Sequence, residues 1–114
     1  MDLDNTLIAL ADPTRRAILQ RLSQGEARVT DLAAPFAISL NSVSKHIRIL
    51  ERAALVTRRV SGRDHYLTFN RKPLDEAAEW IERNRQFWNQ SLDALEAALR
   101  AEDAITNANA RSPK

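Results

Sequence analysis

The sequence predicts a mainly α fold broken by one small β-hairpin, in the order α-α-α-α-β-β-α. Three observations carry this expectation. Apolar residues recur at helical spacing in four short segments before Val56 and in one long segment after Pro73. Between them, "LVTRRV" and "HYLTFN" alternate as strands do, and "SGRD" supplies a turn in which Gly62 gives backbone freedom. With only two glycines and four prolines in 114 residues, the helical stretches meet few breakers. A chain of this size buries roughly two-thirds of its unfolded surface, enough for one core and one domain. We expect that domain to span residues 1–101, with 102–114 a flexible tail poor in apolar residues.

Each element has its own local reasons. Leu3, Leu7, Ile8, Leu10 and Ala11 mark a short first helix over residues 3–11. "DPTRRAILQRLSQG" opens a second, with Asp12 as N-cap and Pro13 at the first helical position. Ala17, Ile18, Leu19 and Leu22 turn inward, and Gly25 closes it. "RVTDLAAPF" gives a third helix capped by Thr30, with Leu32, Ala33 and Phe36 inward and Pro35 barred from its interior. After the tight link "PFAI", Ser39 caps a fourth, a connection of helix-turn-helix kind. The last helix runs from about Pro73 to about Ala101.

Composition removes whole classes of function. Without cysteine there are no disulfides, thiolate metal sites or cysteine nucleophiles. No run approaches the ~20 apolar residues of a membrane span. "MDLDNTLIAL" lacks the basic start and cleavage site of a signal peptide, so a cytoplasmic location is the default expectation. The net charge of +2 hides a strong asymmetry. Residues 36–72 carry two Lys and six Arg against Glu51 and Asp64, a net of +6. The flanking segments are both net acidic. A basic middle third is what a polyanion partner requires.

The fourth helix sharpens that reading. On a helical wheel Val43, Ile47, Leu50 and Ala54 form an inward stripe. Asn41, Ser44, Lys45, Arg48 and Arg52 form a second stripe on the far side, free of carboxylates. Polar outer faces are common on soluble helices, but an acid-free one beside a basic hairpin bearing Arg58, Arg59 and Arg63 is more specific. Short hydrogen-bonding side chains suit base edges in a major groove and cations suit phosphate, while such a hairpin suits the backbone or minor groove.

"LADPTRRAILQRL", "SLNSVSKHIRILERAALV" and "RRVSGRDHYLTF" together resemble the ArsR-type winged helix-turn-helix family of bacterial repressors, over about residues 3–100. The resemblance implies a homodimer that occupies an operator in double-stranded DNA until a signal releases it. It implies that Leu40, Asn41, Ser42, Ser44 and Lys45 face bases or nearby phosphates, that Arg48 contacts the backbone, and that Arg63 sits at the wing tip. The DNA-binding set expected is thus Ser39, Leu40, Asn41, Ser42, Ser44, Lys45, Arg48, Arg52, Arg58, Arg63 and His65. Many relatives have glycine where this chain has Ala54. Metal-sensing relatives carry cysteines on the third helix, where this chain reads "EARVTDL", with Val29 and Thr30, and others use His–carboxylate pairs on the last helix, which here has no histidine.

His46 and His65 are the two histidines, and neither belongs to an HxxxH or HExxH pattern, so no metal, cofactor or catalytic residue is expected. His46 is expected to fix the fourth helix by a local hydrogen bond. The last helix holds Trp80, Phe87 and Trp88, half of the aromatic residues. Its stripe from Ile81 to Leu99 spans ~27 Å against ~14 Å for the first helix. The excess predicts a two-fold interface built from Leu3, Leu7, Leu10, Trp80, Ile81, Phe87, Trp88, Leu92, Leu95 and Leu99. No membrane partner is expected. An effector, if one exists, would be a small molecule near Trp80 and Trp88; a constitutive binder is the alternative. Two competing functions stay open: a DNA-binding protein without operator preference, and a winged-helix protein-interaction dimer.

Overall fold

A computed structural model describes residues 2–111, with side chains through residue 107. The elements are α1 (Leu3–Leu10), α2 (Pro13–Leu22), β1 (Ala27–Arg28), α3 (Val29–Ala33), α4 (Leu40–Arg52), β2 (Val56–Ser61), β3 (Asp64–Phe69) and α5 (Lys72–Arg111). The chain divides into two units, residues 1–78 and 79–114. The expected helices and hairpin are all present, with one addition. Ala27 and Arg28 pair antiparallel with Leu67 and Tyr66, so the hairpin becomes a three-stranded sheet in the order β1-β3-β2. A two-residue strand has no period to read, and only its distant partner makes it a strand.

In the first unit Ile18, Leu19, Leu22, Leu32, Val43, Ile47, Leu50, Leu55, Val56 and Leu67 form one buried cluster. Val43, Ile47 and Leu50 are fully buried, each worth about 1.5–3 kcal/mol over an exposed position. Around them Leu10, Val29, Ala33, Phe36, Phe69 and Leu74 are half-buried. α1 differs from the expected apolar helix in which residues it turns inward. Thr6 and Ala9 are buried, whereas Leu7 and Ile8 are exposed, because small side chains let α1 lie close to its neighbours. Leu10, expected in a dimer contact, is half-buried against the core. α3 begins at Val29 with Arg28 as its N-cap and no side-chain cap bond, so Thr30 does not cap it. Gly25 (φ +139°) lies beyond the end of α2 and does not itself close that helix; Ser23 holds the C-cap.

α2 begins as its sequence dictates, the Asp12 carboxylate accepting from the Arg15 N–H at 3.0 Å with Pro13 in the first turn. That bond holds the Asp12 carboxyl below its ordinary 3.8. Desolvation opposes the shift and the charge of Arg15 reinforces it. A depressed folded-state pKa makes this contribution present above the unfolded value and lost as pH falls through the folded one.

Arg15 itself turns back and is buried, at 9% exposure. Its Nη2 donates to the Ile8 carbonyl at 2.7 Å and its Nε to the Ala9 carbonyl at 2.8 Å, closing the C-terminus of α1. Its Nη1 lies 3.2 Å from His46 Nδ1 on α4. Arg16 supplies the Leu10 carbonyl at 2.8 Å from an exposed position.

At the end of α4 the expected inward stripe shifts by one residue. Ala53 is buried, and Ala54 is exposed beyond the helix at φ +58°. The Leu55 N–H returns to the Leu50 carbonyl at 3.0 Å and the Ala54 N–H to the Glu51 carbonyl at 2.9 Å. This is a left-handed helix stop, with Leu50 and Leu55 both fully buried beneath it. The usual glycine is replaced, but the geometry is kept, because Asn70 Nδ2 grips the Ala54 carbonyl at 2.9 Å. In the hairpin, Gly62 takes φ +63° in a two-residue turn between Ser61 and Asp64.

α5 continues to Arg111, past the end near Ala101 that the apolar stripe predicts. The added turns are rich in alanine, the best helix former. Residues 112–114 of the expected tail lie outside the described residues. Within the second unit, Trp80, Ile81, Phe87, Trp88, Leu92, Leu95 and Leu99 are all exposed, from 39% to 62%. Ion pairs line the same helix, Arg83–Glu79 and Arg85–Glu82 at 2.9 Å each.

Replacing Ala54 with Gly removes the left-handed strain and is expected to raise stability by about 1 kcal/mol, read as a Tm higher by a few degrees. Arg15→Met strands the Ile8 and Ala9 carbonyls and is expected to cost about 3 kcal/mol by denaturant titration. Arg16→Met, at an exposed site, should cost less than about 1 kcal/mol.

Candidate nucleic-acid interface

α4 presents its outer face as the wheel predicts. Asn41, Lys45, Arg48 and Arg52 are exposed, Ser44 is half-buried, and Leu40 keeps 52% of its surface in water. Ser39 begins the helix: its Oγ accepts from the Ser42 N–H at 3.1 Å and meets the Ser42 Oγ at 3.0 Å. Both hydroxyls of that pair therefore serve the cap first. Among the described residues, Asn41, Lys45, Arg48, Arg52 and Arg63 make no side-chain hydrogen bond or ion pair with protein. Most other arginines here are engaged: Arg15, Arg28, Arg58, Arg59, Arg83 and Arg85 all hold carbonyls or carboxylates.

The hairpin sorts its arginines by strand alternation. Arg58 pairs in register with Leu67 and Arg59 with Tyr66, so the two side chains leave opposite faces. Arg58 lies on the face of Val60 and His65. Glu51 at the end of α4 holds its guanidinium on two atoms, at 2.7 and 3.3 Å, and its Nη1 meets His65 Nδ1 at 3.0 Å. A guanidinium only donates, so Nδ1 accepts and the ring proton of neutral His65 sits on Nε2. Glu51, off the polar stripe in sequence, thus anchors the hairpin to α4. Arg59, on the other face, donates to Glu26 at 2.8 Å and covers the Tyr66 ring at 4.5 Å. That hydrogen bond holds the Glu26 carboxyl below its usual range, with desolvation opposing and Thr68 assisting.

A concavity of about 280 Å³ lies where the starts of α3 and α4 meet the wing. It brings together five expected residues: Leu40, Ser44, Arg58, Arg63 and His65. Asn41, Lys45, Arg48 and Arg52 do not line it and belong to the open face of α4. Sequence reasoning missed Arg28, Val29, Thr30 and Asp64 as lining residues. The available signal was Arg28, a cation at a helix start, where it opposes the helix dipole unless paired. It pairs with Asp31 at 3.1 Å and approaches Asp64 at 4.0 Å.

His46 lies apart from this surface. Its Nδ1 faces Arg15 at 3.2 Å and the Asp12 carboxylate at 3.7 Å, beyond hydrogen-bond range. The contact at 3.2 Å makes Nδ1 an acceptor, which fixes α4 against α2 as the sequence predicts. Among the described residues no group of three or more His, Asp or Glu could hold a metal ion, and no helix is long and apolar enough to cross a membrane.

Comparison with known proteins agrees with this geometry. Residues 10–59 match the family described as "Helix-turn-helix domain". The chain is 34% identical to the transcriptional repressor SdpR of Bacillus subtilis over 79 residues, 69% of this chain and 88% of that protein. It is 37% identical over 89 residues to the HTH-type transcriptional regulator Rv2034 of Mycobacterium tuberculosis, 78% of this chain and 80% of the other. The ArsR-like transcriptional regulator from Rhodococcus sp. RHA1 superposes with a TM-score of 0.75 at 27% identity, over 85% of this chain and 92% of that one. With a recognition helix whose outer stripe is free of acids, a basic wing and these relatives, the chain belongs to the ArsR-type winged helix-turn-helix family of DNA-binding transcriptional regulators.

Proposed function

We propose that this chain is a homodimeric, cytoplasmic repressor that occupies an inverted-repeat operator and does not respond to metals. The observation that carries the reading is the distribution of free charge. Lys45, Arg48, Arg52 and Arg63 are left without protein partners beside a fold that neutralises most of its other arginines. An exposed cation held near its like-charged neighbours is unfavourable in the free protein and favourable once phosphates arrive. Asn41 and Ser44 are the groups for base edges; Arg48, Arg52, Arg63 and the fixed pair Arg58–His65 face phosphate. The capping pair Ser39 and Ser42 lies at the same helix start.

Dimerisation is supported by Leu7 and Ile8 on α1 and by the exposed stripe from Trp80 to Leu99 on α5. Apolar patches of that extent mark protein interfaces. Two-fold symmetry would set the recognition helices about 34 Å apart, one turn of B-DNA. The chain lacks cysteine and has no histidine on α5, which supports a metal-independent regulator. Its release would fall to a small molecule near Trp80 and Trp88, or to its abundance alone.

Sizing at micromolar concentration should return twice 12.9 kDa, about 26 kDa. In binding titrations against the chain's own upstream region, Asn41→Ala should relax sequence preference, while Arg63→Ala should weaken all sequences alike. Arg28→Ala should lower affinity several-fold and reduce the log–log salt slope by about 1, and Arg59→Ala, at a side chain that Glu26 holds and that does not line the concavity, should leave the slope unchanged. A monomer, or equal effects of Arg28→Ala and Arg59→Ala, would overturn this arrangement.

A further inference from the structure

α4 sorts its apolar residues cleanly with one exception. Val43, Ile47 and Leu50 are fully buried and Ile49 is packed against the core. Leu40, at the first helical position, is 52% exposed. It lines the concavity beside Ser44, Arg58, Arg63 and His65, so the half-buried apolar side chain is surrounded by groups suited to DNA. Nothing in the helix start requires leucine there, because Ser39 supplies the cap and the buried stripe begins at Val43. A helical side chain leans toward its own N-terminus, so Ser44, one turn on, leans toward Leu40, and the two line the concavity together. Among the cations of this face it offers no hydrogen bond and no charge to a phosphate. What it can offer is a dry contact.

The floor of a major groove presents one strongly apolar feature, the C5-methyl group of thymine. We propose that Leu40 is a specificity-determining residue that receives a thymine methyl group in each half-site, making this regulator sensitive to thymine at one position independently of any hydrogen bond to that base. The inference rests on the operator-binding reading above and adds the chemistry of one base to it. The charge around Leu40 favours DNA over an apolar protein surface as the occupant: Arg28, Arg58 and Arg63 line the same hollow against one lining carboxylate, Asp64, and while Asp31 and Glu51 hold the first two, Arg63 has no ion-pair partner among the described residues.

The test uses the full-length chain and removes the apolar group from each side of the contact in turn. A preferred duplex is first selected from a randomised pool, and each thymine in it is then replaced by deoxyuridine. The wild-type chain should lose about fourfold in affinity per half-site at one thymine position, the scale of one buried methyl group. Leu40→Ser should bind thymine and uracil at that position equally while keeping its response to all other substitutions. Placing 5-methylcytosine opposite guanine at that position should restore part of the wild-type affinity relative to cytosine, and none for Leu40→Ser. Leu40 is largely exposed, so an unchanged Tm for Leu40→Ser confirms an intact fold. A preferred duplex whose uracil substitutions act equally on wild type and Leu40→Ser would overturn the assignment to Leu40 alone. Failure to enrich any duplex would overturn the operator-binding reading together with it.

Discussion

The guanidinium of Arg15 is the interaction on which the rest of the structure depends. A helix ends with carbonyls that have no partner in the helix, and α1 ends against the core, where water does not serve them well. Arg15 reaches back across the α1–α2 junction and supplies two of them, Ile8 and Ala9, from a buried position. The same group touches His46 on α4, so one cation fixes three helices at once. Among the described residues no buried side-chain polar atom lacks a partner, which is the condition under which a buried charge is tolerated. Asp12 completes the node by capping α2 through the N–H of the same residue. The orientation of the recognition helix is therefore set from behind, by groups that take no part in the surface it presents.

That surface is defined by which charges the fold leaves alone. Glu51 and Glu26 lock Arg58 and Arg59 to opposite faces of the hairpin, turning two neighbouring arginines into structural parts with separate duties. On α5, Glu79, Glu82 and Glu96 pair with arginines of their own helix. Lys45, Arg48, Arg52 and Arg63 have no such partners among the described residues; the first three lie on the open face of α4 and Arg63 lines the concavity beside the wing. An ion pair on the surface contributes little to stability. Its consequence here is subtractive, since pairing elsewhere removes competitors and leaves positive potential where a polyanion would dock.

The junction between α4 and the wing shows how local strain is held by distant contacts. Ala54 sits in a left-handed conformation that disfavours any side chain, yet Leu50 and Leu55 close beneath it and Asn70 fastens its carbonyl from the far end of the hairpin. The wing is thus joined to the recognition helix at two points, through Asn70 at its base and through Glu51–Arg58 along its length. A rigid angle between helix and wing follows, and a site that must match the spacing of grooves needs that rigidity.

The sequence by itself determined what neighbours within a few residues decide. Asp12, Pro13 and Ser39 start their helices because a cap acts on an N–H two or three positions away, and Gly62 makes the turn because its own backbone permits it. The two faces of α4 were legible for the same reason, as the period of a helix is a local property. The tertiary structure alone decided what depends on long separations. β1 exists only through residues 66 and 67. Arg15 lies inside because α4 brings His46 to it, and Arg28 joins the candidate site because the wing folds back over α3. α1 turned Thr6 and Ala9 fully inward and left Leu7 and Ile8 exposed, because its closest approach to its neighbours admits only small groups. Hydrogen bonding along a chain can be read from spacing; the filling of space between elements cannot, because each element's fit depends on all the others at once.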